Sequence, residues 1–134
     1  MIDLNDWWYR ISIKALIYNE KWQILLCKES DWRWELPGWW LDLWEKYDAC
    51  LKRELMEEMW LKIVDINKNP KYFITVDDPK SKKRPWKANV CYEVKVKDLN
   101  FTPSDECIEI WFFDKESIKK IPVFVNVTEV FNEI

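Results

Sequence analysis

The sequence predicts a single α/β domain, an α/β/α sandwich in which a mixed β-sheet lies between helices. Its 134 residues suit one domain with one hydrophobic core. Short runs of strand-like residues are interrupted by one long helical stretch and followed by another near the end of the chain. No repeat, linker or low-complexity segment divides residues 1–134.

The hydrophobic pattern gives the order of the elements. Ile11, Ile13, Ala15 and Ile17 alternate with a second face that is partly apolar, so we expect the first strand to be covered on both sides. A turn at 19–22 leads into a returning strand. Further strands are predicted over residues 23–28, 34–36, 72–76, 90–96 and 108–113. Helices are predicted over residues 47–59 and 123–134, with a short helical turn at 115–120 and a basic loop at 77–87, where either a solvated connection or a phosphate contact is possible.

The predicted helix at 47–59 has an apolar stripe and an acidic face. Leu51, Leu55 and Met59 fall in one stripe, which we expect to face the core. Glu54, Glu57 and Glu58 share another face, because residues three and four apart are neighbours on a helix. Three close carboxylates repel one another unless a cation neutralises them, and oxygen ligands without histidine favour Mg²⁺ or Mn²⁺. A plain acidic surface is the alternative reading.

The spacing of the charged residues is more specific than the acidic face alone. The sequence has Glu45, seven residues, Arg53, Glu54, Leu55, one residue, and then Glu57 and Glu58. Five charged positions at about 6% each would match by chance on the order of once in ten thousand sequences of this size. This pattern resembles the Nudix box, the motif of hydrolases that act on nucleoside diphosphates linked to another group. Its two glycine positions are occupied here by Trp39 and Trp60.

The resemblance implies a Nudix-like α/β/α fold and a role for each motif residue. Glu57 and Glu58 would be the principal metal ligands, and Glu54 a further ligand or an activator of water. A backbone carbonyl of Gly38 or Trp39 would complete the metal site. The remaining assignments are Arg53, which would orient the glutamates, and Glu45, which would brace the loop before the helix.

A general base from a later loop is also implied by the resemblance. Asp105, Glu106 and Glu109 are the candidates, and we select Glu106 because it precedes the strand predicted at 108–113. Stacking on a nucleobase is possible for four aromatic residues, although core positions are the alternative for most of them. These residues are Trp34, Tyr72, Phe73 and Tyr92.

The composition is unusual in two residue types. Ordinary chains carry about 7% glycine, yet this one has a single glycine, Gly38, and eleven tryptophans. Six of the tryptophans lie in predicted turns, in the loop before the helix or at the helix end, where glycine is favoured. They are Trp22, Trp32, Trp39, Trp40, Trp44 and Trp60.

We therefore hypothesise that the gene comes from an organism that reads UGA as glycine. Under this hypothesis the six positions are UGA codons that were translated as tryptophan, whereas Trp34 is encoded by UGG. The alternative is a natural or designed tryptophan-rich protein. If the tryptophans are present in the protein, their rings would crowd the metal loop.

Other features exclude several classes of function. A net charge of −3 disfavours binding to nucleic acid polymers or anionic membranes, and no apolar run is long enough to span a bilayer. The absence of histidine removes Ser-His-Asp, Cys-His and histidine-metal chemistry. The four cysteines are widely spaced and predict neither a zinc site nor a disulfide framework. A cytoplasmic protein is the default expectation, and the resemblance leaves a homodimer open.

Two functions remain open from the sequence. The first is a Mg²⁺- or Mn²⁺-dependent hydrolase that cleaves a pyrophosphate linkage in a nucleoside triphosphate, a nucleotide sugar or ADP-ribose. The second is a catalytically silent nucleotide-binding or interaction module with the same fold. In the first case, Glu57→Gln should remove most activity with little loss of fold.

Overall fold

The computed structural model describes residues 9–77 and 86–134, which form eight strands and two α-helices. The strands are β1 (Arg10–Leu16), β2 (Ile24–Lys28), β3 (Trp34–Glu35), β4 (Gly38–Trp40), β5 (Ile63–Ile66), β6 (Tyr72–Asp77), β7 (Trp86–Val96) and β8 (Glu109–Phe113). The helices are α1 (Tyr47–Met59) and α2 (Val125–Asn132), and a 3-10 helix covers Ser117–Lys120.

Two sheets form the middle layer. In the larger sheet, β1 pairs in parallel with β7 and antiparallel with β4, while β5 and β6 both pair antiparallel with β7. The smaller sheet has the order β3-β2-β8 and is antiparallel throughout. The parallel pairing within a mostly antiparallel sheet makes it mixed, as predicted.

The two faces of β1 pack against different helices. Ile13 and Ala15 belong to a buried cluster with Leu51 and Leu55 of α1. Leu16, on the other face, belongs to a second cluster that includes Val127, Val130 and Phe131 of α2. Because successive strand residues point to opposite faces, one strand serves two apolar cores. The predicted α/β/α sandwich is confirmed.

Helix α1 spans the residues that the sequence predicts, Tyr47–Met59. Leu51, Leu55 and Met59 are fully buried, so the predicted apolar stripe is the core face. The helix ends at Trp60, whose φ of 59° is left-handed and whose N–H bonds to the Met56 carbonyl. This geometry is the one that favours a glycine after the last helical turn.

The prediction of a loop before α1 is wrong for Trp39 and Trp40. Both lie in β4, where Trp39 pairs with Ile13 and Trp40 with Ser12 of β1. Neither is among the described residues with positive φ, so the backbone there does not require glycine. The left-handed conformation does occur at the other four positions: Trp22 (61°), Trp32 (72°), Trp44 (68°) and Trp60 (59°).

The basic loop predicted at 77–87 lies mostly outside the described residues. Asp77 ends β6, and Trp86 and Lys87 begin β7. Within residues 9–77 and 86–134, no helix is both long and apolar enough to cross a membrane.

Candidate metal and catalytic site

Helix α1 brings two buried carboxylates to one point on the molecule. Glu54 and Glu58 are one turn apart and are 4% and 5% exposed, although carboxylates are rarely buried without a partner. Glu106, which is exposed, approaches them from the segment before β8. One oxygen from each of the three lies within 4.8 Å of the other two. The structure thus joins residues that are about fifty positions apart in the sequence.

Ser104 fixes the segment that carries Glu106. Its hydroxyl donates a 2.7 Å hydrogen bond to the Glu58 carbonyl and accepts a bond from the Glu106 N–H. A second link joins the Thr102 N–H to the Met59 carbonyl at 3.1 Å. Ser104 was not predicted from the sequence, because its role depends on a contact with a helix end far away in the chain.

Glu58 has the environment of a carboxylate that lacks a partner. Its Oε2 atom lies 3.9 Å from the Cys27 thiol, and its Oε1 atom is buried and has no hydrogen-bond donor among the described residues. Burial raises the pKa of Glu58 well above its ordinary value, although the ammonium of Lys14 opposes the shift. Burial also raises the pKa of Glu54, against the effect of Arg53. An unpaired buried carboxylate oxygen is costly and marks a place for a cation.

Arg53 connects the loop before α1 with the acidic face of the helix. Its guanidinium donates two hydrogen bonds to Glu45, at 2.8 and 2.9 Å, and a third to Glu54 at 2.6 Å. The bond from Arg53 holds the pKa of Glu45 at about 2. Glu57 is exposed and accepts a longer bond of 3.2 Å from Arg53. These contacts agree with the orienting role expected for Arg53 and the bracing role expected for Glu45.

Gly38 forms part of the wall opposite the helix. Its φ is 118°, and a Cβ atom at this position would lie 2.0 Å from the Ile13 carbonyl oxygen. Only glycine allows β4 to approach β1 this closely. A small cavity lies between β4 and α1. It is lined by Cys27, Glu29, Glu35, Gly38, Trp39, Glu58 and Glu106.

Lys14 is a buried cation beside this cavity. It is 3% exposed, and its ammonium donates hydrogen bonds to the carbonyls of Gly38 (3.1 Å) and Leu36 (3.3 Å). The Glu35 carboxylate lies 3.8 Å away. Burial alone would lower the pKa of Lys14, but attraction to Glu35 and Glu58 outweighs it and the pKa is raised. The sequence signal for Lys14 was a charged residue between the apolar residues Ile13 and Ala15 of β1.

A second cleft lies on the α2 side of Lys14. The amide of Asn126 donates to Glu35 at 2.6 Å and to the Asn89 side-chain oxygen at 3.3 Å. The cleft is lined by these residues together with Ser12, Lys14, Trp39, Trp40, Val76, Lys87, Phe124 and Val125. The two cavities share a wall, because Glu35 and Trp39 line both of them. Sequence reasoning missed the polar residues of this cleft, which come from β3, β7 and α2.

The predicted site residues are only partly brought together. Glu54, Glu58 and Glu106 form one cluster, and Gly38 and Trp39 line the cavity beside it. Glu57 lies outside the cluster and contacts Arg53. The donors fit a hard divalent cation, because they are carboxylate oxygens and one of them, Oε1 of Glu58, is buried without a partner. Of the proposed stacking residues, Trp34 and Tyr92 are core residues.

The raised pKa values predict how stability depends on pH without metal. Burial raises the pKa of Glu29 from 4.5 to about 7 and that of Glu58 well above 4.5. Between pH 4.5 and 7 the folded protein therefore binds more protons than the unfolded chain, so its stability falls as pH rises. Melting temperatures in EDTA at pH 5, 6, 7 and 8 should decrease along the series. Glu58→Gln should flatten this decrease, and a wild-type melting temperature that rises across the range would contradict it.

Comparison with known proteins places the chain in a family. A sequence model of the NUDIX domain matches residues 8–129. No curated protein gives a significant match to the sequence.

Solved structures with the same fold are similar over most of their length. A MutT protein from Methanosarcina mazei Go1 has a TM-score of 0.70 and 24% identity, over 93% of this chain and 91% of that chain. A NUDIX-family hydrolase from Clostridium perfringens has a TM-score of 0.71 and 16% identity, over 92% and 94%. An ADP-ribose pyrophosphatase from Streptococcus suis has a TM-score of 0.58 and 24% identity, over 87% and 79%. With the box residues on α1 and a domain match over nearly the whole chain, the protein belongs to the NUDIX family of hydrolases.

Proposed function

We propose that this protein is a divalent-metal-dependent hydrolase that cleaves a pyrophosphate linkage in a nucleoside diphosphate derivative. The observation that carries the proposal is the cluster of Glu54, Glu58 and Glu106, which includes a buried carboxylate oxygen without a donor. Such a cluster is unstable by itself and is suited to a cation that also binds phosphate oxygens. We assign Mg²⁺, or Mn²⁺, to this site.

The residues of the site would bind the cation, accept a proton from water and orient the ligands. Glu54, Glu58 and Glu106 would hold the cation, and the carbonyl of Gly38 or Trp39 would complete its shell from β4. Bound Mg²⁺ neutralises phosphate charge and lowers the pKa of an attacking water. Glu106 is exposed and places one oxygen in the cluster, so its other oxygen would accept the proton of that water. Arg53 keeps Glu54 oriented through its 2.6 Å hydrogen bond.

Glu57 keeps a supporting role in this proposal. It is 57% exposed and held by Arg53, so it can join the cation through a side-chain rotation or through a water molecule once substrate is present. Its replacement by glutamine should therefore reduce activity without loss of fold, whereas the sequence alone predicts the loss of most activity.

The α2-side cleft is the place that we assign to the nucleoside part of the substrate. It is adjacent to the carboxylate cavity, with which it shares Glu35 and Trp39. Phe124 offers an aromatic surface there, next to the Asn126 amide that donates to Glu35 and Asn89. A substrate that spans both cavities would place its pyrophosphate at the carboxylates and its base against α2. The names of similar structures, MutT and ADP-ribose pyrophosphatase, suggest nucleoside triphosphates and ADP-ribose as the first substrates to test.

A metal-dependent substrate screen tests the proposal. Purified protein is incubated with nucleoside triphosphates, nucleotide sugars and ADP-ribose, with Mg²⁺ or with EDTA, and the nucleotide products are separated by chromatography. We expect a nucleoside monophosphate from at least one substrate, formed only with the metal. Glu129→Gln, an exposed carboxylate on α2, serves as the matched control and should leave the rate unchanged. Metal-independent turnover would contradict the proposal.

A catalytically silent binding module is the second candidate, and one observation favours it. The Trp39 side chain lines both the carboxylate cavity and the α2-side cleft, so it occupies space next to both parts of a spanning substrate. In this case the protein would bind nucleotide, as measured by calorimetry, and release no product from any substrate in the screen.

We further propose that the tryptophans at glycine positions arise from UGA codons that the source organism reads as glycine. Left-handed φ values at Trp22, Trp32, Trp44 and Trp60 support this, because a bulky side chain pays a steric cost in that region. All four side chains are exposed, from 63% for Trp60 to complete exposure for Trp44, so burial of the rings does not compensate. At Trp39 the support is different. Its backbone is not left-handed, but its ring lines the proposed site.

Two measurements decide the origin of these residues. The gene should carry UGA at positions 22, 32, 39, 40, 44 and 60, and UGG at position 34. The intact mass of protein from the native source should be lower than that of the printed sequence by six tryptophan-to-glycine differences. UGG at most of the six positions, or a mass equal to that of the printed sequence, would refute the recoding.

A further inference from the structure

The buried ammonium of Lys14 is joined to the proposed metal site but is not part of the Nudix box. It lies on β1, on the face opposite to Ile13, and donates to the Gly38 carbonyl at 3.1 Å. A cation at the proposed site would take its backbone ligand from Gly38 or from the neighbouring Trp39. Where Gly38 is the ligand, Lys14 and the cation would share one carbonyl oxygen.

The charges around the carboxylate cavity make Lys14 important in the metal-free protein. Four carboxylates line the cavity, those of Glu29, Glu35, Glu58 and Glu106, and its described lining contains no basic residue. Lys14 contacts the wall from the other side, 3.8 Å from Glu35, and attracts both Glu35 and Glu58. Arg53, in contrast, is one-third exposed and pairs with Glu45, Glu54 and Glu57 on the outer side of the helix. Lys14 is thus the buried counter-charge of this cavity.

We propose that Lys14 acts as the resident counter-ion of the metal-free site and weakens the binding of a divalent cation to it. A bound cation and the ammonium would repel each other at close range, and a low-dielectric interior increases that repulsion. With Gly38 as the backbone ligand, both would also bind its carbonyl oxygen, to which Lys14 donates. Lys14 therefore keeps the empty site folded and makes metal binding weaker and more readily reversible. This inference rests on the proposed metal site.

Neutral substitutions of Lys14 test the proposal through metal affinity rather than activity. Lys14→Gln retains a hydrogen-bond donor near Gly38 without the charge, and Lys14→Met removes both. Mn²⁺ binding is measured by electron paramagnetic resonance and by calorimetry. We expect each neutral variant to bind Mn²⁺ about tenfold more tightly than the wild type. Lys14→Arg keeps the charge and should retain the wild-type affinity.

The controls separate the charge from general effects. Lys119→Met removes an exposed lysine that pairs with Glu116, and it should leave Mn²⁺ affinity unchanged. The shift in melting temperature on addition of Mn²⁺ should be larger for Lys14→Gln than for the wild type. If Lys14→Met folds only with Mn²⁺, that result also supports the proposal, because metal then replaces the missing cation.

Two results would overturn the inference about Lys14. They differ in whether they also overturn the proposed metal site. Equal or weaker Mn²⁺ binding by folded Lys14→Gln, with normal binding by the wild type, would refute the role of Lys14 and leave the proposed function intact. Absence of Mn²⁺ binding in the wild type and in all variants would remove the metal site, and with it both proposals.

Discussion

Replacing Glu58 by glutamine is expected to abolish activity and, at the same time, to stabilise the metal-free protein. Glu58 is 5% exposed, and one of its carboxylate oxygens has no partner among the described residues. Loss of a principal ligand should lower kcat by about three powers of ten, which corresponds to about 4 kcal/mol of transition-state stabilisation. Without metal, however, the neutral amide removes a buried carboxylate whose charge Lys14, which also attracts Glu35, offsets only in part. Steady-state kinetics with Mg²⁺ and thermal melts in EDTA measure the two effects.

The opposite signs distinguish this prediction from general damage to the protein. A destabilised variant would lose activity and melting temperature together. Glu57→Gln provides the comparison within the motif, since Glu57 is exposed and outside the carboxylate cluster. Its activity should fall less than that of Glu58→Gln, and its melting temperature in EDTA should hardly change. Full activity in Glu58→Gln would show that the cluster is not the metal site.

The sequence predicted most of what is local in this protein. The bounds of α1 and its buried stripe follow from a periodic pattern without proline or glycine, and Glu106 was selected only from its place before a strand. The parallel pairing of β1 with β7 was not predicted, because these strands are more than seventy residues apart and the alternation within each does not specify a partner. Lys14, Glu35 and Asn126 were missed for the same reason, since each gains its role from a contact across the fold.

The error at Trp39 and Trp40 has a more specific cause. The prediction assumed that glycine would be needed for its backbone freedom, and this holds at the four left-handed positions. Residues 39 and 40 are instead extended, in a strand next to two cavities. If they are glycine in the native protein, the reason is space. The rings of Trp39 and Trp40 are stacked, with centroids 5.4 Å apart, and both residues line the cleft. Sequence alone does not separate these two uses of glycine.

The positive-φ tryptophans give the second large prediction: changing Trp22, Trp32, Trp44 and Trp60 to glycine together should raise the melting temperature. Each left-handed tryptophan costs about 1–2 kcal/mol, and part of the gain is offset by the greater entropy of unfolded glycine. Loss of the Tyr18–Trp22 and Lys28–Trp32 ring contacts reduces it further. About 2 kcal/mol should remain, which raises the melting temperature by roughly 6 °C for a domain of this size.

A matched variant at Trp111 controls for the loss of an exposed tryptophan ring. Trp111→Gly removes an equally exposed tryptophan from the extended strand β8, where glycine has no conformational advantage, so it should lower the melting temperature.

Trp39→Gly with Trp40→Gly should act differently from the set of four, because it opens the space beside Lys14 and Glu35. We expect this pair to raise kcat/KM by at least about tenfold, since a substrate that spans both cavities needs that space. If the four glycines stabilise and the pair activates, backbone and site independently require the same residue. If neither occurs, the tryptophans belong to the native protein, and the catalytically silent binding module becomes the better explanation of its function.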